Sequence, residues 1–302
     1  MIQNKIRGHL AMLGANVMWG LMSPVAKIVF ASAVVAPIVM VDFRVAGAAM
    51  LFWIASLFLP REHVPVSDVI RLFGAGMLGV LFNQGCFILG VSMTSPGEAS
   101  LVTTTMPMWV MLLAWLFLRE PITLKKAGGI ALGAAGAIIL IAGNGGSISG
   151  GGTNSALGDV IVLCAQLSYA LYLTLYRNFI RKYSLVTLMK WMFLSASVVA
   201  LPGSINWLSA TDWSVISMVE WSGIAYVVVC GTFLAYICIM IGQKQLRPTV
   251  VGMYNYVQPI VATITGVVLG LDHFTPAKAL AIALIFSGVW LVTVSKAKDS
   301  GA

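Results

Sequence analysis

Three ionisable side chains, Lys27, Asp42 and Arg44, stand inside long apolar runs of a 302-residue chain, and a fourth, Glu98, opens another run. A charge at the centre of a membrane helix costs roughly 2.5–3.5 kcal/mol on insertion scales, so such groups are kept for a partner, a water-lined path or a ligand. Asp42 and Arg44 are two residues apart and point about 200° away from each other on a helix, which makes them poor mutual partners. Lys27 with Asp42, and Arg44 with Glu98, are the better pairings across helices. All four sit toward run ends, where snorkelling or a bracing ion pair is the competing role.

Uncharged polar and aromatic residues gather deeper in the runs: Asn16 and Trp19; Asn83 and Gln84; Thr103, Thr104 and Trp109; Gln166, Tyr169 and Tyr172; Tyr236; and Tyr254, Asn255, Tyr256 and Gln258. Aromatic faces with a few amides suit an organic molecule that has an apolar part and a polar part. Trp19, Asn83, Gln84, Trp109, Tyr169 and Tyr254, followed by Gln258, are the leading substrate-binding candidates. The same side chains also serve as hydrogen bonds between helices. Tyr254 and Tyr256 suit an interfacial aromatic belt as well.

Catalytic chemistry is poorly represented. His9, His63 and His273 are dispersed, and Cys86, Cys164, Cys230 and Cys238 lie in apolar runs without a CxxC pair. Neither an enzyme, a metal site nor a cofactor is expected. No nucleotide-binding motif appears either.

The elements that must position these residues follow from composition. Hydrophobic residues make up 59% of the chain and charged residues 9%, with a mean hydropathy of +0.94. A water-soluble domain carries about 25% charged residues, so that class is excluded. Apolar segments recur at 8–30, 37–59, 69–92, 98–118, 124–142, 156–180, 185–201, 219–242, 249–269 and 277–295. Their length and continuous apolar character predict ten transmembrane helices rather than a barrel. The first segment, which ends near Ala31-Ser32-Ala33, is read as a retained helix because it exceeds the 7–15 residues of a signal-peptide core.

With the N-terminus inside, nearly every loop Lys and Arg falls on the cytoplasmic side and Lys278 lies outside, so both termini are expected in the cytoplasm. The net charge of +8 is then loop charge facing the cytoplasm and not a nucleic-acid surface. The Gly/Ser-rich stretch 143–155 reads as an external linker.

A shift of 152 residues superposes Gly79 on Gly231, Cys86 on Cys238, Pro96 on Pro248, Pro107 on Pro259, Thr123 on Thr275 and Gly136 on Gly288, with Glu120 meeting Asp272. The first helix follows at a shift of 150, with Gly8 on Gly158, Trp19 near Tyr169 and Lys27 near Arg177. Two units of five helices result, 8–142 and 156–295, and five being odd, the second enters the membrane inverted. Inverted halves around a midplane site are the physical basis of alternating access. Pro107 and Pro259, inside matching helices, are candidate helix breaks and gating points.

The chain also resembles a known group. Trp19-Gly20, Pro24-Val25-Ala26-Lys27, Phe43-Arg44-Val45-Ala46-Gly47, Pro107, the run from Leu116 through Arg119-Glu120-Pro121 to Thr123, Gly129 and Gly136 are similar to the drug/metabolite transporter superfamily, and within it to bacterial ten-helix EamA-type permeases. Glu98 stands where those permeases usually carry a small residue, and Asp272 where the second repeat usually carries glutamate. The resemblance implies a 5+5 inverted-repeat transporter of the bacterial inner membrane, with relatives that export amino acids, related metabolites or aromatic compounds. Export of amino acids or similar small metabolites is the leading expectation. An organic-anion or phosphorylated-metabolite exchanger using Lys27 and Arg44 is the alternative, and a membrane-embedded enzyme a remote one. Expected partners are the lipid bilayer, a small-molecule substrate and, as an option, a coupling proton.

Overall fold

A computed structural model describes residues 2–30, 34–93, 102–103, 105–143, 155–268 and 275–295. Glu98, Asp272, the 144–154 part of the linker and some helical side chains, that of Lys27 among them, lie outside the described residues. Ten long helices follow one another: α1 (Ile2–Phe30), α2 (Pro37–Leu57), α3 (Val66–Gly76, through a π-helical turn Met77–Phe82 to Asn83–Met93), α4 (Met106–Leu118), α5 (Leu124–Gly143), α6 (Ser155–Leu175), α7 (Leu185–Ala210), α8 (Met218–Val228, through a π-helical turn Val229–Leu234 to Ala235–Gln245), α9 (Pro248–Met253, through a 3-10 turn Tyr254–Tyr256 to Val257–Val268) and α10 (Pro276–Thr293).

Six of them, α2, α3, α6, α7, α8 and α10, contain windows long and apolar enough by themselves to cross a membrane. Large apolar side chains such as Leu57, Phe58, Leu124, Met218 and Trp290 face outward. Helices satisfy their own backbone groups and lipid accepts that surface, so the chain is an all-helical membrane protein. α7 runs past its expected end at residue 201 and through Pro202. The Ser204 hydroxyl donates back to the Ala200 and Leu201 carbonyl oxygens in that turn, the local bond by which a serine hides its hydroxyl within a helix.

The repeat is visible in the packing. α1 lies against α8 and α9 as α6 lies against α3 and α4, while α2 pairs with α7 and α5 with α10. In the α5–α10 seam Gly129 meets Gly288 and Gly136 meets Ala281, so residue numbers rise on one helix as they fall on the other. The fifth helices of the two halves are therefore antiparallel, as inversion requires. Two of the repeated residues have a local reason to match: the Thr123 hydroxyl accepts the Lys126 N–H at 3.2 Å, and the Thr275 hydroxyl accepts the Lys278 N–H at 3.3 Å. Each satisfies a first-turn amide that has no partner within the helix.

Candidate functional site

The two π-helical turns sit at the same repeat register, Met77–Phe82 and Val229–Leu234 being 152 residues apart. A π turn breaks the regular hydrogen-bond ladder and frees carbonyl oxygens, and such turns cluster at functional sites. Each turn here is closed by a side chain from the opposite half. Trp19 Nε1 donates to the Gly231 carbonyl oxygen at 2.9 Å, and the Tyr236 hydroxyl donates to that of Gly79 at 3.4 Å. Gly79 and Gly231 are repeat partners. The two donors touch, Trp19 and Tyr236 meeting edge to face with ring centroids 5.9 Å apart. On α3, Ser168 Oγ adds a bond to the Leu78 carbonyl at 2.8 Å.

Close helix approach permits this. A Cβ on Gly79 would lie 2.8 Å from the Tyr172 ring, and one on Gly231 would lie 2.9 Å from Met22 Sδ, with Tyr172 and Met22 themselves repeat partners.

Gln84 and Arg44 join the same cluster. Gln84 Nε2 donates to the Tyr236 hydroxyl at 2.7 Å, and Arg44 Nε donates to Thr232 Oγ1 at 3.2 Å within the α8 π turn. The Arg44 guanidinium is also within electrostatic reach of Tyr236. Asp42 turns away, toward Ser204 on α7, and no cation of the described residues lies within ion-pair distance of its buried carboxylate. The two-residue spacing does what the helix period dictates and separates the two charges.

The other candidates fall into separate groups. Asn83 Nδ2 donates to the Ala165 carbonyl at 3.0 Å and braces α3 against α6. Tyr169 accepts from Gln243 Nε2 at 3.2 Å, and Tyr172 donates to Gln243 Oε1 at 3.1 Å. Gln258 Nε2 donates to Asn16 Oδ1 at 3.0 Å, joining α9 to α1. The Tyr254 hydroxyl is 2.8 Å from His9 Nδ1, near the start of α1. Trp109 is half-buried, with its Nε1 enclosed and unpartnered among the described residues. Pro107 is the second residue of α4, and Pro259 lies within α9, three residues after its 3-10 turn. The 3-10 turn just before Pro259 is the irregular point of α9.

Sequence reasoning misses Thr232, Ser168 and the π turns. Tyr236 stands among the polar residues of the apolar runs but not among the leading candidates. The signal lies in the Gly79/Gly231 identity, which reports a backbone approach rather than a side-chain function.

A second polar zone closes the end of the bundle where the basic loops gather. Glu120 follows α4 after Arg119, the one non-glycine residue with left-handed backbone among those described. Its buried carboxylate accepts from Lys126 Nζ at 3.0 Å, from Arg177 Nη1 at 3.3 Å and from the Thr249 hydroxyl at 3.2 Å. Asp68, in the first turn of α3, accepts from Lys182 and Tyr183, and Lys244 reaches the Tyr183 carbonyl. The hydrogen bond to Asp68 holds Lys182 above the usual lysine range. Glu62 accepts the Ser184 N–H at 3.0 Å. Partial desolvation opposes its ionised form, but hydrogen bonds from Thr187 and Ser184 and the charge of Lys244 outweigh it and hold this carboxyl below its usual value. Acids from the first half thus meet bases from the second, with Lys126 of the first half joining them at Glu120.

Comparison with known proteins agrees with this architecture. The EamA-like transporter family matches residues 6–142 and again residues 156–294. "Uncharacterized transporter YetK" of Bacillus subtilis (strain 168) is 25% identical over 260 residues, covering 86% of this chain and 78% of that protein. "Uncharacterized inner membrane transporter YedA" of Escherichia coli (strain K12) is 25% identical over 266 residues, covering 86% of this chain and 82% of that protein. A crystal structure at 20% identity superposes with a TM-score of 0.77 over 97% of both chains, a likeness of fold.

Proposed function

The chain belongs to the EamA-like transporter family, a transporter and not an enzyme family, and we propose that it exports amino acids or related small metabolites across the bacterial inner membrane by alternating access. A membrane transporter of this family works between a bilayer and a small-molecule substrate. The observation that supports the mechanism is the pair of π turns at one repeat register, each closed by a donor from the opposite half. Bonds that cross between halves can be exchanged as the halves rock, and inverted repeats supply two equivalent end states for such a motion. The polar ties at the basic end join the halves there, and we assign that end to the cytoplasm from the charge bias. Breaking them would admit substrate from inside.

The basis for an amino-acid substrate is the mixture of a buried cation, amides and aromatic faces around Tyr236. Arg44 supports a second reading, exchange of organic or phosphorylated anions, because it has no acidic partner among the described residues. Asp42, buried beside Ser204 with no cation of the described residues in ion-pair reach, is the group best placed to carry a coupling proton.

Counterflow in proteoliposomes preloaded with an amino-acid mixture tests the reading. Saturable exchange of a labelled neutral or aromatic amino acid, lost in Trp19→Ala and weakened in Tyr254→Ala, is expected. Uptake of a labelled organic anion in place of amino acids would favour the second reading, and exchange of neither would overturn both.

A further inference from the structure

We propose that the polar end of a zwitterionic α-amino acid is seated beside the Tyr236 hydroxyl, its carboxylate on the Arg44 guanidinium and its ammonium on Gln84 Oε1. This rests on the amino-acid reading given above and assigns the residues that would select that class.

Arg44 is 6% exposed, and its one hydrogen bond among the described residues runs from Nε to Thr232 Oγ1. Thr232 gives its own proton to the Val227 carbonyl oxygen at 2.7 Å and is therefore fixed as an acceptor. That bond orients the guanidinium and leaves both terminal nitrogens, with four N–H groups, uncommitted. No carboxylate of the described residues lies within ion-pair distance of Arg44, and the acid next to it in sequence, Asp42, faces α7. An enclosed guanidinium without an anion is strongly disfavoured, and a planar fork of donors matches a carboxylate.

Gln84 presents the opposite deficiency. Its Nε2 is spent on Tyr236, while its Oε1 is buried with no partner among the described residues. The Tyr236 hydroxyl donates to the Gly79 carbonyl at 3.4 Å and accepts from Gln84 Nε2 at 2.7 Å, the arrangement that leaves Gln84 Oε1 facing away from that hydroxyl. Among the described residues, one hydroxyl is thus flanked by a cation lacking an anion and an acceptor lacking a donor. A carboxylate and an ammonium on the same carbon answer both. A simple organic anion leaves Gln84 Oε1 unmet, and a simple amine leaves Arg44 unmet. Trp19 and Phe193, with ring centroids 5.9 Å and 4.9 Å from that of Tyr236, wall the position with aromatic surface.

The test is counterflow of a labelled neutral amino acid in proteoliposomes of the full chain, with unlabelled competitors. The free amino acid should compete, whereas its methyl ester, its decarboxylated amine and its 2-hydroxy acid should each be weaker by at least about tenfold, the loss expected for a hydrogen bond to a charged group. Arg44→Gln should lose exchange by a similar factor, Arg44→Lys should recover part of it, and Gln84→Leu should raise the half-saturating concentration about tenfold. Competition by the ester and the amine equal to that of the parent would overturn the seat while leaving amino-acid transport standing, and needs no variant to fold. So would wild-type exchange by Arg44→Gln. Absence of any amino-acid exchange by the wild-type chain would overturn the transport reading and the seat together.

Discussion

Gly129 and Gly288 face each other across the α5–α10 seam so closely that a Cβ on Gly129 would stand 2.7 Å from the Gly288 carbonyl oxygen, and a Cβ on Gly288 would stand 2.5 Å from that of Gly129. Both clashes are with backbone, which cannot swing aside like the end of a long side chain. Gly129→Ala and Gly288→Ala should each lower stability by about 1–3 kcal/mol through overpacking. By contrast, a Cβ at Gly85 or Gly203 meets nothing within 4 Å. Gly85→Ala and Gly203→Ala should be neutral or stabilising by up to about 1 kcal/mol, since alanine favours a helix. Thermal unfolding of the purified protein in one detergent compares the four, and equal losses in all would remove the seam as the cause.

Glu120 is the buried hub to which a buried lysine, Lys126, and the second-half residues Arg177 and Thr249 all donate. Removing one partner of a buried pair leaves an uncompensated charge, and such losses run to about 3–5 kcal/mol. Glu120→Ala should be destabilised on that scale, and Glu120→Ala/Lys126→Met should recover much of the loss. Failure of the second substitution to help would show that Lys126 does not depend on Glu120.

The depressed Glu62 carboxyl makes the basic end sensitive to acid. Because its folded value lies below the unfolded one of about 4.3, its contribution is fully present above that value and is lost as pH falls through the folded value. Melting temperature should therefore decline more steeply below about pH 4.3 in the wild type than in Glu62→Gln. Parallel curves for the two proteins would exclude Glu62 from the acid response.

Trp19→Phe and Tyr236→Phe remove equivalent bonds to the Gly231 and Gly79 carbonyls while retaining a ring. Each should cost about 0.6–1.5 kcal/mol, in the range of interhelical hydrogen bonds in membranes and in proteins generally. Tyr236→Phe should be the more severe in counterflow, because it also removes the acceptor that holds Gln84 Nε2. A larger transport defect in Trp19→Phe would put the weight on the indole instead.

Hydrophobic length and the 152-residue register make the helices and the duplication legible in the amino-acid sequence, because lipid imposes a length on each span and a repeat keeps its close-packed glycines. The candidate site is legible there only in part. Periodicity separates Asp42 from Arg44, and Trp19 and Gln84 do meet around Tyr236, with Tyr169 within electrostatic reach of it while bonded to Gln243, but Tyr254 and Gln258 are tied to His9 and Asn16. Composition cannot say which of two polar residues at similar depth faces which neighbour. The π turns leave no mark on hydropathy, since one extra residue in a turn changes no side chain. Asp68 and Glu220 share the repeat register, and each opens a helix, so the acid at the basic end does carry a signal of its own in the duplication.

The division of acids and bases between the halves bears on ancestry and engineering. Moving back through the repeat, Lys182 and Tyr183 correspond to Ser32 and Ala33, Lys244 to Ser92 and Thr249 to Gly97, with Lys27 the surviving cation opposite Arg177. Two copies of the first half, assembled as an inverted homodimer, would carry Asp68 and Glu120 twice and most of their partners not at all. In the single chain the first half supplies the acids, with Lys126 beside Glu120, and the second half most of their donors, so the clasp forms at one end. Neither half, expressed alone, inherits a complete clasp.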